Sequence, residues 1–176
     1  MVSRRNLLRN AAIAAPLGAL AACTTSTVNG VSTVTLNVAA VDKWATAFEN
    51  AATLIAGLPG IPVAASAAIN VVNAAVVADL AAFNAAAGSQ VTLTFNGTSI
   101  PKAITSLLAD GNVLLTDARG AITGVPTQYA QIAQEYINAL ATIVSIFEAA
   151  VGSVSAKLST TSMTEQQALN ALKVAN

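Results

Sequence analysis

Histidine is absent from the 176-residue chain, and cysteine occurs once. The first absence removes the commonest general base and the commonest transition-metal ligand. The second excludes a disulfide framework within the chain, so stability has to come from packing. Charged residues are 9% of the sequence, against about 25% in an ordinary soluble domain. Aromatics are 4%. No basic patch is visible, which leaves no electrostatic footprint for nucleic acid. The formal net charge of zero hides an asymmetry. Arg4, Arg5 and Arg9 all precede Cys23; beyond it remain eight acids but only Lys43, Lys102, Arg119, Lys157 and Lys173.

What is abundant is alanine, roughly a quarter of the chain, within a hydrophobic fraction of 55%. Alanine has the best helix propensity and lets helices approach closely. A disordered chain would instead be poor in apolar residues and rich in charge. The length suits one domain.

The segment "SRRNLLRNAAIAAPLGALAAC" (Ser3 to Cys23) joins a cationic start to an apolar run over Ala11 to Ala22, broken by Pro16 and Gly18. This is the layout of a secretory signal. The run is too short for a membrane-spanning helix, which needs about 20 apolar residues. The pair Arg4-Arg5, followed by Asn6, Leu7, Leu8 and Arg9, resembles the twin-arginine export signal. Leu7 and Arg9 stand where that signal more often has phenylalanine and lysine. A general-secretion signal with incidental arginines is the alternative. Leu20-Ala21-Ala22-Cys23 resembles the lipobox of bacterial lipoprotein precursors. That resemblance implies cleavage before Cys23, acylation of its thiol and new amino terminus, and attachment to a membrane by lipid. Thr24, rather than aspartate, follows the cysteine; among lipoproteins this implies the outer membrane and its periplasmic face. The competing reading is an ordinary signal ending beside a stray cysteine.

Residues 23–32 then read as lipidated cysteine and flexible polar tether. The run "STVTLNV" (Ser32 to Val38) alternates apolar and polar positions, as a short strand does. From Ala39 to Gly57 the period becomes helical, with Val41, Trp44, Phe48, Ala52 and Ile55 on one face. "GLPGIP" (Gly57 to Pro62) stops that helix. A second runs to Ala87 with Ile69, Val72, Val76, Leu80 and Phe83 on its apolar face, and Gly88 ends it. "SQVTLTF" (Ser89 to Phe95) then nearly repeats the first alternating run, and Asn96-Gly97 makes a turn. Ser99 and Pro101 start a third helix in which Asp110-Gly111 marks a kink or break. Gly124-Val125-Pro126 echoes Gly60-Ile61-Pro62. A fourth helix reaches Val151, with Tyr129, Ile132, Tyr136, Leu140, Ile143, Phe147 and Val151 in one stripe. A short C-terminal helix is signalled by the capping-box pair Thr164 and Gln167, with Met163 as a staple.

These patterns predict a mainly α fold: an antiparallel four-helix bundle over residues 33–152, then a linker and short helix over 153–176. The repeated run and the repeated Gly-x-Pro fit an internal duplication whose two strands pair as a ribbon. The alternative is that both runs are extended linkers.

Candidate chemistry is sparse. Ser99-Ile100-Pro101-Lys102 has the S-x-x-K spacing of penicillin-binding serine enzymes, but a serine helix cap followed by proline explains it. Asp110, Asp117, Glu135 and Glu148 are scattered carboxylates, whereas metal or glycosidase chemistry needs convergence. Asn96-Gly97-Thr98 matches a glycosylation sequon but reads as a turn. Gly57-Leu58-Pro59-Gly60 lacks the Gly-Lys-Ser/Thr of a phosphate loop. Tyr129, Tyr136 and Phe147 either line a ligand cavity or fill a core. Asn70, Asn73, Asn138 and Thr142 are uncharged where soluble helices carry lysine and glutamate; such a surface suits an envelope partner or a second copy. The expectation is therefore a lipid-anchored envelope protein without catalysis, cofactor or metal, and with no nucleic-acid partner. The alternatives are a membrane-active helical protein and a carrier of a small apolar ligand.

Overall fold

The structure, a computed structural model, describes residues 23–28, 31–96, 100–152 and 163–174. Its elements in chain order are β1 (Cys23–Val28), β2 (Val31–Asn37), α1 (Val38–Ala56), α2 (Val63–Ala87), β3 (Thr92–Asn96), α3 (Lys102–Ala121), a 3-10 turn (Ile122–Gly124), α4 (Thr127–Ala150) and α5 (Glu165–Ala171). The fold is mainly helical with one small antiparallel sheet.

Both alternating runs are strands, and they pair. In β2 and β3 the partners are Val34 with Phe95, Thr35 with Thr94, and Leu36 with Leu93. Period-two alternation puts Val34 and Leu36 in the core and leaves Leu93 and Phe95 half-buried on the same side. On the other side the Thr35 and Thr94 hydroxyls hydrogen-bond at 3.0 Å. The sheet has a third strand. Residues 23–32, expected as a tether, supply β1, which pairs with β2 from Cys23 opposite Leu36 to Val28 opposite Val31. Small polar residues such as Thr24, Thr25 and Thr27 serve an edge strand as well as a linker, because threonine's β-branch favours extended backbone.

Asn37 ends β2 and caps α1, its side chain accepting from the Ala40 N–H at 3.3 Å. Helix α1 lies centrally, packed against α2, α3 and α4. Val41, Trp44, Phe48 and Ile55 are buried on it, together with Ala45, Ala47, Ala51 and Ala52. Alanines at these positions keep neighbouring helices close. The aromatic centre joins Trp44 and Phe147 at 5.1 Å between ring centroids, and Phe48 and Phe147 at 6.3 Å. Phe147 thus fills the core.

Helix α3 is continuous through Asp110-Gly111, against the expected kink. Gly111 is instead a notch. A Cβ built there would stand 2.7 Å from Cε2 and Cζ of Phe48. The expected stripe of α4 is buried from Leu140 onward, but Ile132 is exposed and Tyr129 and Tyr136 are half-buried. Ala133 and Ile137 take the inward positions of the first turns.

The two Gly-x-Pro connectors meet. Gly60 has φ +88°, and a Cβ on it would meet Pro126 Cδ at 2.6 Å and the Gly124 carbonyl oxygen at 2.8 Å. Reciprocally, a Cβ on Gly124 would lie 3.1 Å from the Gly60 carbonyl oxygen and 3.8 Å from Pro62 Cδ. Helix α5 packs on α4 and is tied to α1, so it belongs to the same body as the preceding helices. Its capping box is formed: Thr164 accepts from the Gln167 N–H, and the Gln167 side chain accepts from the Thr164 N–H. Met163 is half-buried against the core.

Candidate functional site

Of the residues expected to carry export and anchoring, Arg4, Arg5, Leu20, Ala21 and Ala22 lie outside the described residues. Cys23 is the first residue of β1. Its place in the register, opposite Leu36, sets it one residue from the Asn37 cap of α1. Val38 N–H donates to the Val91 carbonyl at 3.0 Å, and Val91 is 74% exposed. This end of the sheet therefore brings together the start of β1, the start of α1 and the loop that enters β3.

The carboxylates do not converge into a metal cage: among the described residues no group of three His, Cys, Asp or Glu side chains could hold an ion. Glu148 accepts from Asn112 Nδ2 at 3.1 Å, joining α4 to α3. Asp110 of α3 does have a carboxylate neighbour, Asp79 of α2. Burial, then the Asp79 charge, then a hydrogen bond with Asp79 raise the Asp110 carboxyl above its ordinary value. The Asp110 Oδ2 is buried without a hydrogen-bond partner. Burial alone raises Glu49 of α1.

Ser99, Gly97 and Thr98 lie outside the described residues, while Lys102, the far end of the S-x-x-K spacing, is an exposed first residue of α3. An open groove of about 500 Å³ runs between α4 and α5, lined by Glu135, Met163, Gln167, Asn170 and Ala171. Three of these five residues, Glu135, Gln167 and Asn170, are polar and the groove is open to solvent, unlike the apolar enclosure that holds a small hydrophobic ligand.

Sequence reasoning missed two features. The first is the latch at α5, where the Trp44 indole N–H donates to Glu165 Oε1 at 2.8 Å and Asn50 Nδ2 donates to the Leu172 carbonyl at 2.9 Å. The distance in sequence between partners conceals such contacts. The second is the outward face of α2. Among the described residues α2 is the one helix long and apolar enough to cross a membrane, yet little of it is buried. Only Ile69, Val76, Phe83 and Ala87 are buried on it, and Val63 is 87%, Val71 72% and Val77 47% exposed. Its single charge, Asp79, faces Asp110 rather than the exposed side. The sequence showed that Val63 to Ala87 carries one charge, Asp79, and is long enough to span a membrane; what it did not show is that most of that run stands exposed.

No protein-family model, no curated protein and no solved structure matches the chain.

Proposed function

We propose that this protein is an exported lipoprotein of the bacterial cell envelope, held to a membrane through an acylated Cys23, with a structural or binding role and no catalysis. The observation that carries the reading is the position of the sole cysteine, directly after an arginine-led apolar segment and at the first residue of the folded sheet. Each buried methylene of an acyl chain contributes about 0.8 kcal/mol, and stable anchoring takes more than one chain. A lipoprotein-type cysteine with two or three chains meets that need. Because β1 begins at Cys23, the anchor acts without a spacer: it holds the sheet end, with Val91, against the lipid headgroups. The outer membrane is the proposed site, from Thr24 beside the cysteine.

The scaffold in this reading is an antiparallel four-helix bundle made by duplication of a strand–helix–helix unit. Leu36 of the first alternating run pairs with Leu93, its counterpart in the second. The connectors contact one another through equivalent residues, Gly60 with Pro126 and Gly124 with Pro62. The buried positions correspond as well: Ile69, Val76 and Phe83 of α2 match Ala133, Leu140 and Phe147 of α4.

Metabolic labelling with a clickable fatty acid tests the anchor. The native chain should take up label, and Cys23→Ala should lose it; equal labelling of both refutes the assignment. A second reading, a membrane-inserted protein, is favoured by the length and exposure of α2. Against it, Asn70 and Asn84 on the same helix are costly in lipid, and alanine contributes little to insertion. Carbonate extraction separates the two. Cys23→Ala released into the supernatant supports lipid as the sole attachment, and retention in the membrane supports inserted helices.

A further inference from the structure

We infer that residues 163–174 form a strap that docks on the helical body and leaves it as one unit, without unfolding of α1 or α4, and that its departure uncovers the Trp44 indole and the seat on α1 and α4. The strap carries its own conformational instructions. At its start the capping box of Thr164 and Gln167 is closed within the segment. At its end the Val174 N–H donates to the Leu169 carbonyl and the Lys173 N–H to the Asn170 carbonyl, both at 3.0 Å. That pair of bonds is a Schellman closure, with Lys173 at the left-handed position. Leu169 and Val174, the two residues whose side chains accompany such a closure, are both buried. A short helix sealed at both ends by its own residues forms and melts whole, because helix formation is cooperative.

What holds the strap is limited and reversible. Ala168, Leu169, Leu172 and Val174 are buried, whereas Gln166, Gln167, Asn170 and Lys173 are exposed. Helix α5 packs on α4. Two hydrogen bonds tie it to α1, from Trp44 Nε1 to Glu165 Oε1 at 2.8 Å and from Asn50 Nδ2 to the Leu172 carbonyl at 2.9 Å. Both use a side chain of α1 rather than its backbone. When the strap leaves, water reaches the indole N–H and the Asn50 amide, so neither donor stays buried without an acceptor. Against the burial of four apolar side chains stands the conformational entropy of each residue that docking orders. A seven-residue helix does not persist alone in water, so the released segment loses its helix.

The docked state also holds strain. Among the described residues Lys173 is the one non-glycine with a positive φ, +56°, a conformation in which Cβ crowds the following carbonyl oxygen. Burial of Val174 keeps Lys173 there, and release relaxes it. The body, in contrast, keeps its own contacts without the strap. Trp44 packs on Phe147 with ring centroids 5.1 Å apart, and Phe147 packs in turn on Phe48. Helix α1 is held by α2, α3 and α4. Opening therefore removes one wall from Trp44 and leaves the core around Phe48 and Phe147 closed. The strap sets access to the seat: closed, it shields the indole from solvent, and open, it presents the indole beside an apolar groove.

Native-state hydrogen exchange of the full chain, followed residue by residue, tests the inference. The Ala168, Leu172 and Val174 amides and the Trp44 indole N–H should report one opening, about 100-fold more populated than the opening that exposes the α1 amides, and less sensitive to urea. Thr164→Ala removes the cap at the start of the strap and should accelerate Val174 as much as Ala168, by about fivefold. Lys173→Gly relieves the left-handed residue at the other end and should slow both by about threefold. Ile104→Val thins the core of the body, where Ile104 is fully buried on α3. It should accelerate the α1 amides by about two- to tenfold and leave the opening of the strap unchanged. Rates that rise step by step toward Val174 mean fraying from one end and overturn the proposal. So does an indole N–H that exchanges with the α1 amides, or an Ile104→Val chain in which strap and α1 accelerate equally, since the strap would then open only as the body unfolds. The inference does not rest on acylation: the same pattern is expected with Cys23→Ala.

Discussion

Replacing Gly111 with alanine sets two effects of opposite sign against each other. Glycine inside a helix is less favourable than alanine by about 1 kcal/mol, so an unobstructed Gly111→Ala stabilises by about that amount. The added Cβ would stand 2.7 Å from two atoms of the Phe48 ring. That ring is fully buried and packs beside Phe147, so it has no open space to swing into. Overpacking of this kind costs about 1–3 kcal/mol, and the absence of slack around Phe48 places the cost in the upper half of that range. The net expectation is a loss of about 1–2 kcal/mol, read in urea denaturation followed by circular dichroism. At about 2–4 °C per kcal/mol for a chain of this size, Tm falls by about 2–8 °C. Phe48→Leu alone should also destabilise, by about 1–2 kcal/mol, through the space it leaves. Combined with Gly111→Ala it should cost at least about 1 kcal/mol less than the sum, because each change relieves the other. A Gly111→Ala variant more stable than the parent, with an additive cycle, refutes the packing of α1 on α3 described above.

The connectors give a paired expectation. Gly60→Ala meets both a positive φ and the backbone of the facing connector, and should cost about 2–4 kcal/mol. Gly120→Ala, in an exposed turn of α3 with nothing within 4 Å, should stabilise by about 0.5–1 kcal/mol; chemical denaturation distinguishes them, and similar values for the two would contradict the contact. Glu165→Ala leaves the buried Trp44 N–H without its acceptor and should cost about 1–3 kcal/mol, with faster hydrogen exchange across α5. Glu165→Gln, which keeps an acceptor oxygen, should restore most of the loss; equal behaviour of the two would remove the latch from the account. The raised Asp110 carboxyl fixes a pH dependence. The folded chain binds that proton more tightly than the unfolded chain, so stability falls as pH rises from about the ordinary value of 3.8 through the raised one, then levels. Asp110→Asn should remove this component. Subtracting its denaturation midpoints from those of the parent should give a curve that declines with pH over that window, and a flat or rising curve would refute the assignment.

Local pattern carried the helices well. The 3.6-residue spacing of Val41, Trp44, Phe48 and Ile55 located α1 to within a residue or two, and Thr164 with Gln167 marked the start of α5. Alternation located β2 and β3; their pairing was expected only if the two runs are a duplicated strand, with extended linkers as the alternative, and they do pair. Three things were not legible. β1 was read as a tether, because short threonine- and serine-rich segments look alike as edge strand and as linker. Gly111 was read as a break, because a glycine's local propensity does not reveal that a phenylalanine more than sixty residues earlier needs its missing side chain. The tie between Trp44 and Glu165 spans most of the chain. For the candidate site, Cys23 and the segment before it are proposed from sequence alone, and the fold adds only that the cysteine opens an edge strand. The outward face of α2 needed the structure, since hydrophobicity does not say which alanines are buried.

The central claim is that an acylated Cys23 ties this alanine-dense helical body to a bilayer beyond the cytoplasm. Intact-mass measurement of the chain recovered from membranes tests it most directly. The account predicts a polypeptide beginning at Cys23 and heavier than its amino-acid mass by two or three fatty-acyl groups. A free thiol at Cys23, with residues 1–22 still attached, would contradict it.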